Sequence, residues 1–393
     1  MPKSILSGRR IQIAGSIAAD CNVASAEEVR LARDFVGKLV AALVKKGATF
    51  VVPVDAEKLR DCDRSPICFD WLVWQSIREN LPQRPAEGKN PLVVAVQHHK
   101  SERQVPGDFA ELWEELRNSD VVSIENVSHW NMNSKRMEAQ AKEGEILMTL
   151  GGSEGVLFLA NLYHEAGKPV IRLNFALTQE NEGSLRLFSM GLSSAQADRF
   201  FRVTTSNAHT WMNRINWSKA KSADQRVASM IDLLEALEPP HAFVVRLMNP
   251  SHSDYSDVDA FFNEVVRPIM ESELGYKLIV VDGAQPFEHA RMDQEIFEKL
   301  HRSSFVLADI TGARPNCFIE LGYALGRRLP TMLTVKEGAA HPFDIYSVAG
   351  LHWKTTGTPE ERKEAFRKHW EAIKNRPTLV PADPLAWIST AKS

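Results

Sequence analysis

Long apolar runs and an excess of one charge are both missing from this chain of 393 residues. Its apolar runs, such as residues 92–96, have the length of a strand, whereas a membrane helix needs roughly 18 apolar residues. We therefore expect a soluble protein with no membrane partner. Lys and Arg total 47 against 50 Asp and Glu, which gives a net charge of −3. Because so neutral a chain carries no general electrostatic footprint for nucleic acid, we expect no nucleic-acid partner.

Cysteine is also scarce. The four residues Cys21, Cys62, Cys68 and Cys317 fall into neither a zinc-ligand spacing nor a disulfide framework. For so long a chain this predicts a reducing compartment, and the N-terminal residues lack the apolar stretch of a signal peptide. We therefore expect a cytoplasmic protein without a metal site.

What the sequence does contain is an alternation of short apolar runs with longer amphipathic stretches, which is typical of parallel α/β units. Two such series are separated by a segment with little strand signal, and Pro239 and Pro240 break the helix predicted over residues 222–237. We predict an α/β fold of two doubly wound, mostly parallel sheets. The predicted parts are a first domain over 1–177, a helical connector over 178–240 and a second domain over 241–393.

The densest polar signal follows the strand predicted over residues 305–310. Asp309 lies in that strand near its end, and we expect Asn316 to cap a helix that carries Glu320 in its first turn. A carboxylate there can stabilise the positive charge that develops on a sugar when an N-glycosidic bond breaks, or bond to the sugar covalently. A purely structural role also fits, because acidic residues are favoured in a first helical turn and Asp after a strand satisfies turn amides.

Residues 242–353 resemble the TIR-like and nucleoside 2-deoxyribosyltransferase-like domains of bacteria. The resemblance is carried by Ala308-Asp309, Thr311-Gly312, Pro315-Asn316 and Glu320-Leu321-Gly322-Tyr323-Ala324. It implies a flavodoxin-like fold with Glu320 and Asp309 as catalytic residues. The residues expected to bind the substrate are Arg246, Met248, Tyr255, Asp282, Thr311, Gly312, Asn316 and Tyr323. Arg314 stands where the transferases carry an acidic residue, and Asn316 stands where the TIR domains that cleave NAD+ carry Trp.

Two glycine-bearing turns stand out in the first half of the chain. Gly15-Ser16 ends the first predicted strand, and residues 151–155 join a later strand to a helix. Glycine lets backbone N–H groups approach a phosphate, and a helix N-terminus adds favourable charge.

Residues 11–20 and 149–174 resemble the SLOG superfamily of nucleotide-binding domains. The helix after Gly155 is apolar and has no Glu where the phosphoribohydrolases of that superfamily keep theirs. The resemblance therefore implies a Rossmann-like sensor that binds a nucleotide messenger without cleaving it. The expected messenger-binding residues are Gly15, Ser16, Gly151, Gly152, Ser153, Glu154 and Gly155.

Together the two resemblances imply an antiviral effector. Messenger binding to the first domain would activate NAD+ hydrolysis, with release of nicotinamide, by the second. NAD+ is then a substrate, no cofactor is needed, and activation is expected to proceed through a homo-oligomer or ligand-induced assembly. Two alternatives remain open, namely a nucleoside or nucleotide N-glycosidase or deoxyribosyltransferase, and a non-catalytic nucleotide-binding regulator.

Overall fold

The computed structural model of the chain divides into two compact units, residues 1–238 and 239–393. The structure describes residues 4–86, 91–98, 101–127, 132–193, 197–204, 206–218, 220–281, 292–312, 314–327, 329–339 and 350–373. Each unit is built on a parallel sheet flanked by helices, which confirms the predicted doubly wound α/β class. None of the described helices is long and apolar enough to cross a membrane.

The first unit contains a six-stranded sheet in the order β4-β3-β2-β1-β5-β6, with all neighbouring strands parallel. Its strands are β1 (Arg10–Ser16), β2 (Thr49–Pro53), β3 (Val93–His98), β4 (Val122–Val127), β5 (Ile146–Gly151) and β6 (Val170–Arg172). Strands β2, β3 and β5 are buried along their whole length, as expected for strands covered on both faces. The strand order reverses between β1 and β5, so the crevice of this unit lies between their carboxyl ends.

Helices cover both faces of this sheet. They are α1 (Ala26–Lys45), α2 (Asp70–Asn80), α3 (Ala110–Arg117), α4 (Met132–Glu143), α5 (Glu154–Glu165), α6 (Gly183–Ser193), α7 (Ala208–Arg214) and α8 (Ala223–Ala236). Helix α1 shows why they form where they do: the predicted N-cap, Ser25, accepts a hydrogen bond from the N–H of Glu28. The helix ends before Gly47, whose φ of 73° is in the left-handed region that suits glycine.

The segment predicted as a connector packs within the first unit. Phe188 of α6, Trp211 of α7 and Leu233 of α8 share one hydrophobic core with the sheet strands and α1. Helix α8 lies against α1, and the Ser222 capping box that begins it is formed on both sides. Trp211 and Trp217 are both buried in this core.

The second unit contains a five-stranded parallel sheet in the order β11-β10-β9-β7-β8. Its strands are β7 (His241–Val245), β8 (Lys277–Val280), β9 (Phe305–Asp309), β10 (Thr331–Lys336) and β11 (Leu351–Trp353). Helix α9 (Tyr255–Phe261) continues as π-helical turns over Phe262–Val266 and Pro268–Glu273, and α10 (Met292–His301), α11 (Pro315–Gly326) and α12 (Pro359–Ile373) complete the described helices. In sequence order the strands run 2-1-3-4-5, the flavodoxin-like arrangement, whose crevice opens between β7 and β9.

Candidate active site

Asp309, the last residue of β9, is fully buried in the second unit. Its Oδ1 accepts the N–H of Thr311 at 3.1 Å, and its Oδ2 accepts Thr334 Oγ1 at 2.8 Å and Trp353 Nε1 at 2.7 Å. Burial raises the pKa of the Asp309 carboxyl, while the three donors lower it. Because 0% of Asp309 is exposed, the side chain ties β9 to β10 and β11 and has no surface with which to touch a substrate. This placement suits a positioning residue better than the predicted catalytic one.

The turn after β9 shapes the floor of the crevice. Thr311 is buried, and its Oγ1 accepts the N–H of Lys336 at 2.9 Å, which fixes the turn to β10. Gly312 has a φ of 83°, and a Cβ there would lie 3.3 Å from the ring of His252. Only glycine therefore allows the loop after β7, which carries His252, to approach the turn so closely. The sequence analysis did not single out His252.

Glu320 lies in the second turn of α11, because the helix begins at Pro315. The predicted N-cap, Asn316, is wrong: Arg314 occupies that position, and Asn316 is exposed in the first turn. Glu320 is half-buried, and its carboxylate forms no hydrogen bond or ion pair with the described residues. Burial raises its pKa to about 7, and the charge of Arg314 opposes this increase. A desolvated, unengaged carboxylate beside a crevice is the arrangement that an oxocarbenium-like transition state requires.

The remaining predicted substrate residues are only partly available. Arg246 donates to Asp259 Oδ1 at 2.9 Å and lies over the ring of Phe262, so its charge is already neutralised. Met248 is half-buried in the loop after β7, and Tyr255 is half-buried at the start of α9, packed against the core.

Tyr323 packs toward α10. Its hydroxyl is 2.8 Å from His301 Nδ1, and its ring is 5.1 Å from that of Phe297. Asp282 lies outside the described residues.

An ion cluster at the same edge could not be seen in the sequence. Lys336, at the end of β10, donates to Asp254 Oδ1 and Asp257 Oδ2, both at 2.6 Å. These bonds raise the pKa of Lys336. They also hold the loop after β7, which carries His252, against β10. With these two aspartates engaged, Glu320 is the carboxylate without a hydrogen-bond partner among the described acidic residues of this edge. Cys317 is no alternative nucleophile, because burial and Glu320 raise its pKa to about 11.

In the first unit the predicted glycine turns do meet. Ser16 pairs with Gly151, and the N–H of Gly152 donates to Ser16 O at 2.8 Å. A Cβ on Gly15 would lie 1.8 Å from Leu150 O, and Gly151 and Gly152 have φ values of 59° and 77°. Three glycines are therefore needed for β1 and β5 to adopt this geometry.

The helix that follows these turns starts in the open. Ser153, Glu154 and Gly155 are exposed at the start of α5, and Ser153 forms no side-chain cap. The positive end of α5 therefore faces the crevice edge and favours an anion there.

The same edge of the first unit carries acidic residues that the sequence analysis missed. The segment around Cys68 pairs with Ser16, and the N–H of Cys68 donates to Glu57 Oε1 at 3.3 Å. Burial raises the pKa of Glu57, and burial together with Glu57 raises the pKa of Asp70 to about 7. Asp55, two residues after β2, is ion-paired with Arg136. These groups come from the loop after β2 and the start of α2, which carry no motif, so no sequence signal identified them.

Two loops near this edge are joined covalently, contrary to the expectation that the cysteines form no disulfide. Cys21 and Cys62 form a disulfide that spans 41 residues, with 6.6 Å between their Cα atoms. Asp63 lies beside them, so one ligand atom from each of the three residues falls within 4.8 Å of the others and the group could hold a metal ion once reduced.

Comparison with known proteins places the first unit in a sequence family. The family described as "ATP nucleosidase Cap17-like, N-terminal" matches residues 6–234, more than half of the chain. Among curated proteins, none matches this sequence. A crystal structure of TM1055, a structural genomics target, is 19% identical and covers 49% of this chain and 88% of its own, with a TM-score of 0.30. A TM-score this low supports no inference about the present chain.

Proposed function

Because the chain belongs to the Cap17-like ATP nucleosidase family through its N-terminal region, we propose that it hydrolyses an N-glycosidic bond of a nucleotide, NAD+ or ATP, in antiviral defence. The observation that carries the proposal is Glu320, the half-buried carboxylate without a partner among the described residues. The sheet edge beside Glu320 is where doubly wound folds bind ligands. The first unit then binds a nucleotide messenger at its glycine turns and controls the reaction, which takes place in an assembled homo-oligomer in the cytoplasm.

Among the described carboxylates at the crevice edge of the second unit, Glu320 is the one without a hydrogen-bond partner, and this favours NAD+ as the substrate. The nicotinamide ring of NAD+ is cationic, so it departs as a neutral molecule without being protonated. The enzyme therefore has only to stabilise the positive charge that develops on the ribose. Glu320 can do this alone. The other acidic side chains described at this edge are engaged, Asp309 by three donors and Asp259 by Arg246.

A second candidate is cleavage of ATP in the first unit. The adenine of ATP is a poor leaving group and must be protonated as it departs. This reaction needs two carboxyl groups, one that donates the proton and one that acts as a carboxylate. Glu57 and Asp70 form such a pair with raised pKa values. The family match covers this unit, which favours the candidate further.

One experiment separates the two candidates. The purified full chain is incubated with NAD+ or ATP and a panel of cyclic and linear nucleotide messengers, and release of nicotinamide and adenine is measured by chromatography. Glu320→Gln and Asp70→Asn are compared with Glu364→Gln, a change of an exposed carboxylate on α12. The first candidate predicts messenger-dependent nicotinamide release that Glu320→Gln abolishes. The second predicts adenine release that Asp70→Asn abolishes.

Neither product under any condition, from protein that binds a messenger, would refute both enzymatic candidates. It would leave the chain as a nucleotide-binding regulator. Free base released only from deoxynucleosides would point instead to a nucleoside N-glycosidase or deoxyribosyltransferase.

A further inference from the structure

Arg314 differs from the other described cations at the crevice edge of the second unit. Arg246 is bound to Asp259, and Lys336 is bound to two aspartates. Arg314 is half-buried, yet its guanidinium forms no hydrogen bond or ion pair with any described residue. A guanidinium that is partly removed from water gives up solvation, and among the described residues only the charge of Glu320 offsets this, without a direct hydrogen bond; a ligand anion would supply that bond.

The position of Arg314 relative to Glu320 is suited to one sugar phosphate. Arg314 is the N-cap residue of α11, and Glu320 follows six residues later, which at 1.5 Å per residue is about 9 Å along the helix axis. The two side chains also influence each other, since the charge of Arg314 lowers the pKa of Glu320. A sugar phosphate with its anomeric carbon at Glu320 would have to span part of this distance to place its phosphate at Arg314.

We propose that Arg314 binds the 5′-phosphate of the substrate and makes the second unit specific for nucleotides over nucleosides. This inference rests on the proposed function of Glu320 in the same unit. The guanidinium offers two parallel N–H donors to phosphate oxygens, a geometry that neither a hydroxyl nor a free nucleoside can satisfy. The N-terminus of α11 adds favourable charge beside it. Arg246, one of the predicted substrate-binding residues, is instead paired with Asp259.

Nicotinamide mononucleotide and nicotinamide riboside provide a matched test, because they share the scissile bond and differ by the 5′-phosphate. We expect the full chain, with its activating messenger, to prefer the mononucleotide in kcat/KM. Arg314→Ala should lower kcat/KM for the mononucleotide by about 10- to 100-fold and leave the riboside almost unchanged, the range expected for losing a hydrogen-bonded charge pair. Arg267→Ala, an exposed arginine bound to Glu271, is the control and should change neither.

Binding of ribose 5-phosphate, measured by isothermal titration calorimetry, tests Arg314 without turnover. Glu320→Gln should keep this binding, whereas Arg314→Ala should weaken it by a similar factor. Equal kcat/KM for the two nicotinamide substrates in the wild type, or equal losses for both in Arg314→Ala, would overturn the assignment of Arg314. Inactivity of the wild type with retained, Arg314-dependent binding would overturn the proposed reaction instead. No ribose 5-phosphate binding by the wild type overturns the inference directly.

Discussion

Replacement of Asp309 by Asn tests whether this carboxylate supports the fold or contacts the substrate. Three donors converge on its two oxygens: Thr311 N–H on Oδ1, and Thr334 Oγ1 and Trp353 Nε1 on Oδ2. Asn offers one acceptor oxygen. With that oxygen facing Thr334 and Trp353, the amide group of Asn faces the N–H of Thr311, so a buried donor meets another donor.

A buried donor that loses its acceptor costs about 1–3 kcal/mol, and the other two bonds lose their charge-assisted part. Removal of a buried charge offsets some of this loss, since burial disfavours the ionised form of Asp309. We therefore expect Asp309→Asn to lower the unfolding free energy of the second unit by about 1–3 kcal/mol. Asp309→Ala leaves all three donors without an acceptor and should cost about 3 kcal/mol or more.

The assay is urea unfolding of the full chain, followed by circular dichroism and tryptophan fluorescence and analysed as separate transitions of the two units. Thr334→Val is the matched control, because it removes a single donor at nearly constant shape and should cost about 1 kcal/mol. The Asp309→Asn protein that remains folded should keep its N-glycosidase activity. An Asp309→Asn variant that unfolds at the wild-type urea concentration but is inactive would show that Asp309 acts on the substrate and that the structural reasoning is wrong.

Three further predictions concern the two crevices and the disulfide. Nicotinamide release should rise with pH through about 7, where half of the Glu320 side chains are ionised, and level above about pH 8, because the carboxylate is the active form; a rate that falls over this range would contradict a role as carboxylate. Gly152→Ala should weaken messenger binding strongly, since its Cβ would lie 2.2 Å from a methyl of Val156 at a φ of 77°, whereas Gly37→Ala in α1 meets only an ordinary contact and should bind like the wild type in calorimetry. Cys62→Ser should lower the free energy of unfolding by up to about 4 kcal/mol under oxidising conditions, because the disulfide closes a loop of 41 residues, and by little in the presence of a reductant. Equal unfolding midpoints for the variant and the wild type under oxidising conditions would show that the disulfide contributes nothing.

The elements that were predictable from the sequence are those whose local pattern is strong. Strands such as β3 and β5 are continuous apolar runs, and the Ser25 cap follows from side-chain chemistry one residue before the helix. Strand β11 has only three residues, too few for an apolar run to register, although Trp353 within it is central to the core. Helix α4 has mostly polar residues, so no apolar stripe marks it.

The predicted start of α11 was wrong by two residues because the preference of proline for the first helical position was overlooked. Asn is a good N-cap residue, and Asn316 was therefore chosen. Proline, however, is favoured at the first helical position because its fixed φ suits the helix and its missing N–H has no partner there anyway. Pro315 thus places the cap at Arg314. This shift of two residues moves Glu320 from the first turn to the second.

Other parts of the candidate sites depend on contacts between distant residues. Thr334 and Trp353 follow Asp309 by 25 and 44 residues, so the burial of this carboxylate could not be inferred from the strand that carries it. The approach of Glu57 and Asp70 to β1 depends on a loop that folds back through Cys68. No periodicity records such a loop, because its path is set by tertiary packing.

The contrast between Asp309 and Glu320 shows how a single sequence motif can divide its acidic residues between folding and chemistry. Asp309 ends a central strand, where donors from β10 and β11 reach it, while Glu320 projects from a helix and only the charge of Arg314 opposes its desolvation. The folded-state pKa of Glu320, about 7, exceeds the ordinary value of 4.5, so its contribution to stability is complete below pH 4.5 and is lost as the pH rises through 7. Glu320→Gln removes this penalty and should stabilise the second unit at pH 8 by about 1–2 kcal/mol, after allowance for solvent screening, with little gain at pH 4. Urea unfolding at the two pH values measures the difference; a variant that is less stable than the wild type at pH 8 would mean that Glu320 is engaged in the folded protein and is not held free for a substrate.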